Sequence, residues 1–403
     1  MRRSLLALLA LSLLAPLTSD ARAESWCAYP LWVHEWGVHV FGADGKAAPV
    51  TGVPSYFHTP DRATNPDQPR AVRDLPVDSG MRALPVLHFY SAGGMEATLP
   101  VGVEVGFTGG AASAWYPRVD GLRSAASANG PEARAERLRL LEVREQRKAR
   151  GRAADGTLPA VPADPTRQLV WDRLTLTPKP AATPEETAVP WVATARGLSA
   201  LWVNGGAESE RFVFYEAGTA EKVPLKLVRG ETFGPGRRHY VLQNSGPHTV
   251  HDVLFVHREG AAVFAFYAPA IPSGKSAGFL VEDHRVTDPK AATRDVLRAA
   301  LVDAAQPEVP AEVRWGRDDC VMGRDPAIPV ERAAGHKLFA SEVDLIFQVW
   351  GARFFDQPGT TIVYREAEAA LDAAMPLSVY TDMYNYVVLS RAGLALWEHV
   401  KLP

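Results

Sequence analysis

ERFVFYEAG (210–218), VPLKLVRG (223–230), RHYVLQN (238–244), TVHDVLFVHR (249–258), AAVFAFYAP (261–269) and SAGFLVED (276–283) follow one another with little more than Gly, Pro, Asn and a few polar residues between them. Each run is rich in β-branched and aromatic residues, and the turn signals recur at the spacing of an all-β sandwich. With LVWDRLTLTP (169–178) and SALWVNG (199–205), they predict an antiparallel β-sandwich over 167–287, Ig- or fibronectin-like in architecture. Within it, His251, Val253, Phe255 and His257 alternate with Asp252, Leu254 and Val256, which predicts a half-buried strand with histidines at its wet ends.

Upstream, LWVHEWGVHVF (31–41) alternates as a strand that puts Trp32, His34, Trp36, Val38 and Val40 on one face and Glu35, Gly37 and His39 on the other. LPVLHFYS (84–91) and LPVGVEVGF (99–107) also read as strands, and Gly93-Gly94 between them suggests a hairpin. The proline-rich stretch 51–80 reads as a loop. PEARAERLRLLEVREQRKAR (131–150) is a polar helix whose acidic and basic residues interleave, ending at Gly151 in a Pro/Ala/Asp linker. Downstream, ATRDVLRAALVDA and the region from about 337 to 355 carry helical periodicity, and TTIVYR, PLSVY and YNYVVLS return to strand character. The expected organisation is a β-rich region over 24–119, a charged helical insertion and linker over 120–166, the sandwich over 167–287, and helices and strands over 288–403 packing on it. The fold class is mainly β, α+β overall.

Composition agrees with a folded chain. The 403 residues are 47% hydrophobic and 22% charged, which fits neither a disordered chain nor a fibre, and the 32 Gly and 32 Pro supply many turns. A net charge of −3 gives no electrostatic ground for nucleic acid as a partner.

Arg2 and Arg3 precede an apolar run from Leu5 to Leu17, and Ala21-Arg22-Ala23 supplies the small residues of a cleavage site. Residues 1–23 therefore read as a signal peptide, and the mature chain is expected in the periplasm or outside the cell with no membrane span. Only Cys27 and Cys320 remain, and an even count in an exported chain points to a disulfide between them.

HEWG at 34–37, followed by LPVLHFYS (84–91), AWYP (114–117), ERFVFYE (210–216) and the series VWGARFF, PGTTIVYR and MPLSVY, resembles a family of exported bacterial proteins that begin with a His-Glu-Trp-Gly-Thr-Phe type motif. The resemblance implies export and a β-rich architecture rather than a particular chemistry. This chain departs from the pattern at Val38-His39-Val40, where the family has Thr-Phe-Thr, and at His88, where it more often has Tyr.

His34-Glu35 with His39 has the spacing H-E-x-x-x-H, not the H-E-x-x-H of a zinc protease helix, and on a strand His34 and His39 point to opposite faces. The sharper expectation joins Glu35 and His39 to His88, Tyr90 or Asp252 from other strands, as ligands for a divalent metal such as Zn; RDDCVMGRD (317–325) is a second place for Ca. For His34 the competing reading is a core histidine flanked by Trp32 and Trp36. Trp36, Trp115 and Tyr116, with Trp32 and Trp202, offer a stacking surface for sugar rings or a partner peptide, or else fill the core. No nucleophile elbow or phosphate-binding loop is present. The candidate binding residues are His34, Glu35, Trp36, His39, His88, Tyr90, Trp115 and Tyr116. The functional expectation is an exported binding or structural module whose partner is an envelope protein or a carbohydrate. The alternative is a secreted hydrolase with a metal or carboxylate/His site near His34, Glu35 and His39.

Overall fold

The computed structural model describes residues 30–45, 54–59, 80–91, 98–108, 110–124, 167–219, 221–305, 308, 337–381 and 386–403. In chain order the strands are β1 (Pro30–Phe41), β2 (Gly80–Ser91), β3 (Leu99–Gly106), β4 (Ala111–Tyr116), β5 (Gly121–Ser124) and β6 (Arg167–Thr177). Helix α1 (Pro190–Leu198) leads into β7 (Trp202–Gly205), β8 (Glu208–Glu210), β9 (Phe212–Thr219), β10 (Leu225–Arg229), β11 (His239–Asn244), β12 (Val250–Glu259), β13 (Ala262–Ile271) and β14 (Ser276–Leu280). The chain closes with α2 (Val296–Leu301), α3 (Ala340–Phe355), β15 (Gly359–Arg365), α4 (Glu368–Ala374), β16 (Leu377–Thr381) and β17 (Tyr386–Trp397). The chain is mainly β. No described helix is long and apolar enough to cross a membrane. The expected export signal at 1–23, Cys27, Cys320, the helix expected at 131–150 and RDDCVMGRD lie outside the described residues.

An eight-stranded sheet, in the order β13-β12-β15-β17-β1-β2-β9-β4, runs through the middle of the fold. The alternation read from 31–41 is what its two cores impose. Trp36, Val38 and Val40 face a core roofed by α1, α2 and α3 through residues such as Val192, Leu297, Ile346 and Phe354. Leu31 and Val33 face the opposite way, into a core closed by the six-stranded sheet β16-β3-β6-β7-β8, whose sixth strand, β5, pairs with β6. At the far end of that same face, Phe41 packs with Leu225, Tyr240, Leu242 and Phe279 of the three-stranded sheet β10-β11-β14. One face of the central sheet is thus covered by helices and the other by two smaller sheets, with a seam between them.

Three expectations change. The strands at 84–91 and 99–107 form no hairpin: β2 pairs with β1 and β9, while β3 pairs with β6 and β16. Leu87 and Phe89 instead meet Val101, Val103 and Val105 across the core, so the two strands face each other rather than share an edge. Second, β12 is buried on both faces: Leu254 and Val256 pack under the helices, and Val253 and Phe255 pack against the three-stranded sheet. Third, the strands of 167–287 divide among all three sheets, and one pair at the centre, β1 with β17, runs parallel. Among the expected insertion's described residues, 121–124 form β5 on β6.

Candidate metal and ligand site

The helix-covered face of β1 carries His34. Its ring donates from Nδ1 to Glu342 Oε2 at 2.7 Å, and Tyr90 donates its hydroxyl to Glu342 Oε1 at 2.8 Å. The backbone N–H of Phe339 completes the set at 2.8 Å, so Glu342 also caps the first turn of α3. Burial opposes ionisation of Glu342, yet His34 and the Phe339 N–H hold its pKa below the ordinary carboxylate value. His88 pairs directly across from His34 in β2, stacks against Trp36 and Tyr90, and donates from Nε2 to the Ala195 carbonyl at 3.3 Å. Its burial pushes its pKa down to about 4, so at neutral pH it is an uncharged imidazole. This network is buried, and its role is to seat α3 and α1 on the sheet.

The opposite face carries Glu35, which accepts from Arg391 Nε and from the Tyr215 hydroxyl. Arg391, 1% exposed, also donates to Asp372 at 2.6 Å and to the Met375 carbonyl at 2.9 Å. Burial alone would lower its pKa; the Glu35 carboxylate outweighs that and holds it above the ordinary arginine value. Glu35 and Arg391 are register partners in the parallel β1–β17 pair, so the ion pair is built into the strand pairing.

Two residues further on, Gly37 faces Gly393. A Cβ at Gly393 would stand 2.5 Å from Leu371 Cδ2 and 2.7 Å from Glu366 Oε2. The missing side chain therefore lets α4 settle on the sheet and lets the Glu366 carboxylate lie over the strand, anchored by its N–H donating to the Gly393 carbonyl at 2.8 Å. EAALDAA, rich in Ala with Leu371 as its buried residue, suits a short helix with that thin face.

His39 comes next on this face. Its ring is 1% exposed, and neither nitrogen has a hydrogen-bond partner among the described residues. Nδ1 stands 3.7 Å from a carboxylate oxygen of Glu221 and 3.7 Å from one of Glu366. These separations are too long for hydrogen bonds. They come close to the roughly 3.3 Å between neighbouring ligands that each sit about 2 Å from one tetrahedral ion. The three ligand atoms lie within 4.8 Å of one another, and His39, Glu221 and Glu366 form a group that could hold a metal ion.

Glu221 and Glu366 also line a cavity of about 370 Å³. It sits in the seam, walled by Phe41, Val250 and Tyr364 from the strands, Ala370 and Ala374 from α4, and Pro224 and Pro247 from the loops. Thr108, Lys222 and His248 add polar groups. Its lining is mostly apolar, and its size lies at the small end of the roughly 300–1,000 Å³ usual for ligand pockets.

The structure thus separates the expected cluster. His34, His88 and Tyr90 share the helix-covered face, whereas Glu35 and His39 lie on the other, because residues paired across antiparallel strands point the same way. Asp252 is two strands away from β17 on the far side of β15. There it sits at a β-bulge with φ 50°, clamped by Arg365 at 2.7 Å and Tyr267 at 2.8 Å. Trp36, Trp115 and Tyr116 are buried in the cores and offer no stacking surface. Of the expected residues, His39 alone meets the metal group. Glu221 and Glu366 carry no motif, and only the Ala-rich helix beginning two residues beyond Glu366 marked that region.

No family model matches the chain, and no curated protein sequence matches it. The solved Fcho1 Mu homology domain from Danio rerio with bound Eps15 peptide aligns over 93% of this chain and 96% of that chain, at 6% identity and a TM-score of 0.28. At that similarity neither fold nor ligand carries over.

Proposed function

We propose that this chain is an exported binding protein that holds zinc through His39, Glu221 and Glu366 at the wall of the seam cavity. The signal-like sequence at 1–23 supports export. The observation that carries the binding reading is His39. Burying an imidazole with no hydrogen-bond partner costs about 1–3 kcal/mol, and an ion shared with the two carboxylates removes that cost. An imidazole in the ligand set favours zinc over calcium, which takes six to eight oxygens. Two carboxylates neutralise a divalent ion, and three protein ligands leave a coordination position for something in the cavity. A small molecule suits this cavity better than a sugar, since Trp115 and Tyr116 are core residues.

The hydrolase alternative draws on the same open position, where zinc would activate water. It retains His39 alone from its expected trio, because His34 is committed to Glu342 and Glu35 to Arg391. The test is calorimetric titration of the chelator-treated protein with zinc chloride. One equivalent should bind to the wild type, and His39→Ala and Glu221→Gln should each weaken binding by about tenfold or more. Equal zinc binding in all three proteins would overturn the reading.

A further inference from the structure

Where β12 meets the end of β15, a second charged group stands apart from the metal group. Between His251 and Leu254, β12 carries one residue more than β15 has opposite it. Asp252 sits in that bulge at φ 50°, a left-handed backbone uncommon outside glycine. The bulge sets its carboxylate between two side chains: Oδ2 accepts from Arg365 Nε at 2.7 Å, and Oδ1 accepts from the Tyr267 hydroxyl at 2.8 Å. Tyr267 packs against the core under the helices, and Arg365 shares the face of Val363 in that core.

Arg365 is held in an unusual way. The pairs Arg196–Glu210, Arg298–Asp344 and Arg353–Glu398 each use Nε and an Nη nitrogen together. Asp252 takes Nε alone, although two parallel bonds would hold a carboxylate better. The four Nη hydrogens, on the end-on edge of the guanidinium, have no acceptor among the described residues. The side chain is 9% exposed, and its Nη nitrogens are not among the sealed polar atoms, so the open part of Arg365 is this edge. Lys337 stands near enough for both members of the pair to act on it: burial lowers its pKa first, Asp252 opposes that, and Arg365 adds to it. Ser390 donates to its carbonyl at 2.7 Å, while its half-buried amine has no ion pair or hydrogen bond among the described residues.

We infer that the Nη edge of Arg365 and the Lys337 amine bind the oxyanion group of a small ligand, a carboxylate or a phosphate, with Asp252 and Tyr267 as positioning residues. The planar edge matches two oxygens of one such group, and the same group gives the partly desolvated ammonium a partner. The site is independent of zinc. Glu366 follows Arg365 in the chain but lies over the other face of the sheet, beside His39.

The experiment is an NMR titration of the arginine Nε–H resonances of the whole protein, in chelator and at constant ionic strength, with sodium acetate, sodium phosphate or sodium chloride. The Arg365 resonance is identified by its loss in Arg365→Lys and its shift in Tyr267→Phe. Acetate or phosphate is expected to move it to saturation, and the tighter of the two names the anion. Chloride should leave it in place. Lys337→Met removes an amine that the fold does not use, so the resonance should persist while anion binding weakens about tenfold. The proposal is overturned if neither acetate nor phosphate moves the resonance further than chloride does, or if Lys337→Met binds as the wild type does.

Discussion

Gly37 lies opposite Gly393 in the parallel β1–β17 pair, and over this pair of missing side chains the Glu366 carboxylate reaches toward His39. The seam between the two smaller sheets is therefore floored by glycine and edged on one side by Glu35–Arg391 and on the other by His39. Without the gap at Gly393, the ends of the Leu371 and Glu366 side chains would have to shift, and with them the carboxylate that precedes α4.

Gly393→Ala is expected to push Leu371 and Glu366 aside, since its Cβ would fall 2.5 and 2.7 Å from them. Overpacking of this kind costs about 1–3 kcal/mol. Denaturant unfolding should show that loss, and the same variant should bind zinc more weakly because Glu366 has moved. A stable variant with full zinc affinity would contradict the role given to the glycine pair.

Glu35→Ala should destabilise the fold by about 1–3 kcal/mol, because the buried Arg391 guanidinium loses one of its two carboxylate partners and keeps only Asp372. The double variant Glu35→Ala with Arg391→Met should lose much less than the sum of the two single losses. Zinc titration of Glu35→Ala should match the wild type. Additive losses in unfolding experiments would show that the pair is not coupled.

His39→Phe replaces a buried ring that has no hydrogen-bond partner among the described residues with an apolar one of similar shape. The metal-free variant is expected to melt no lower than the metal-free wild type, while zinc should no longer raise its melting temperature. A large loss of metal-free stability would mean that His39 serves the fold rather than a ligand.

Two buried groups set opposing pH dependences. His88, facing Glu342, His34 and Tyr90, has its pKa pushed down to about 4 by burial, so the unfolded chain takes up its proton first as pH falls and stability drops from about pH 6.5 toward 4. Glu216, hydrogen-bonded by Ser113, has its pKa raised to about 7 by burial, so stability drops instead as pH rises from about 4.5 toward 7. Each effect spans at most about 3 kcal/mol, and in the wild type they largely cancel. Between pH 4.5 and 6.5, Glu216→Gln should become more stable with rising pH and His88→Phe less stable. Chemical denaturation at several pH values reads both slopes, and parallel slopes in the two variants would refute the assignment.

The period-two pattern of 31–41 was legible because both faces of β1 meet packed cores, and it correctly divides His34 from Glu35 and His39. The helices at 296–301 and 340–355 were legible for the same reason, through apolar residues at helical spacing. Pairing was not. β2 and β3 are each strand-like, but a local pattern does not distinguish strands that share an edge from strands that face each other across a core. The site was legible only at His39. Glu221 stands in a loop ahead of β10 and Glu366 just before α4, and only the closing of three sheets around one seam brings them to a histidine more than 180 residues away. Arg391 was hidden similarly, since its charge suggests exposure until its register partner Glu35 is known.

The most direct test of the zinc site is an anomalous difference map at the zinc absorption edge, from crystals of the whole protein grown with zinc chloride. The account predicts one strong peak about 2 Å from a ring nitrogen of His39 and from carboxylate oxygens of Glu221 and Glu366. No peak there, or zinc held only at other residues, would contradict it.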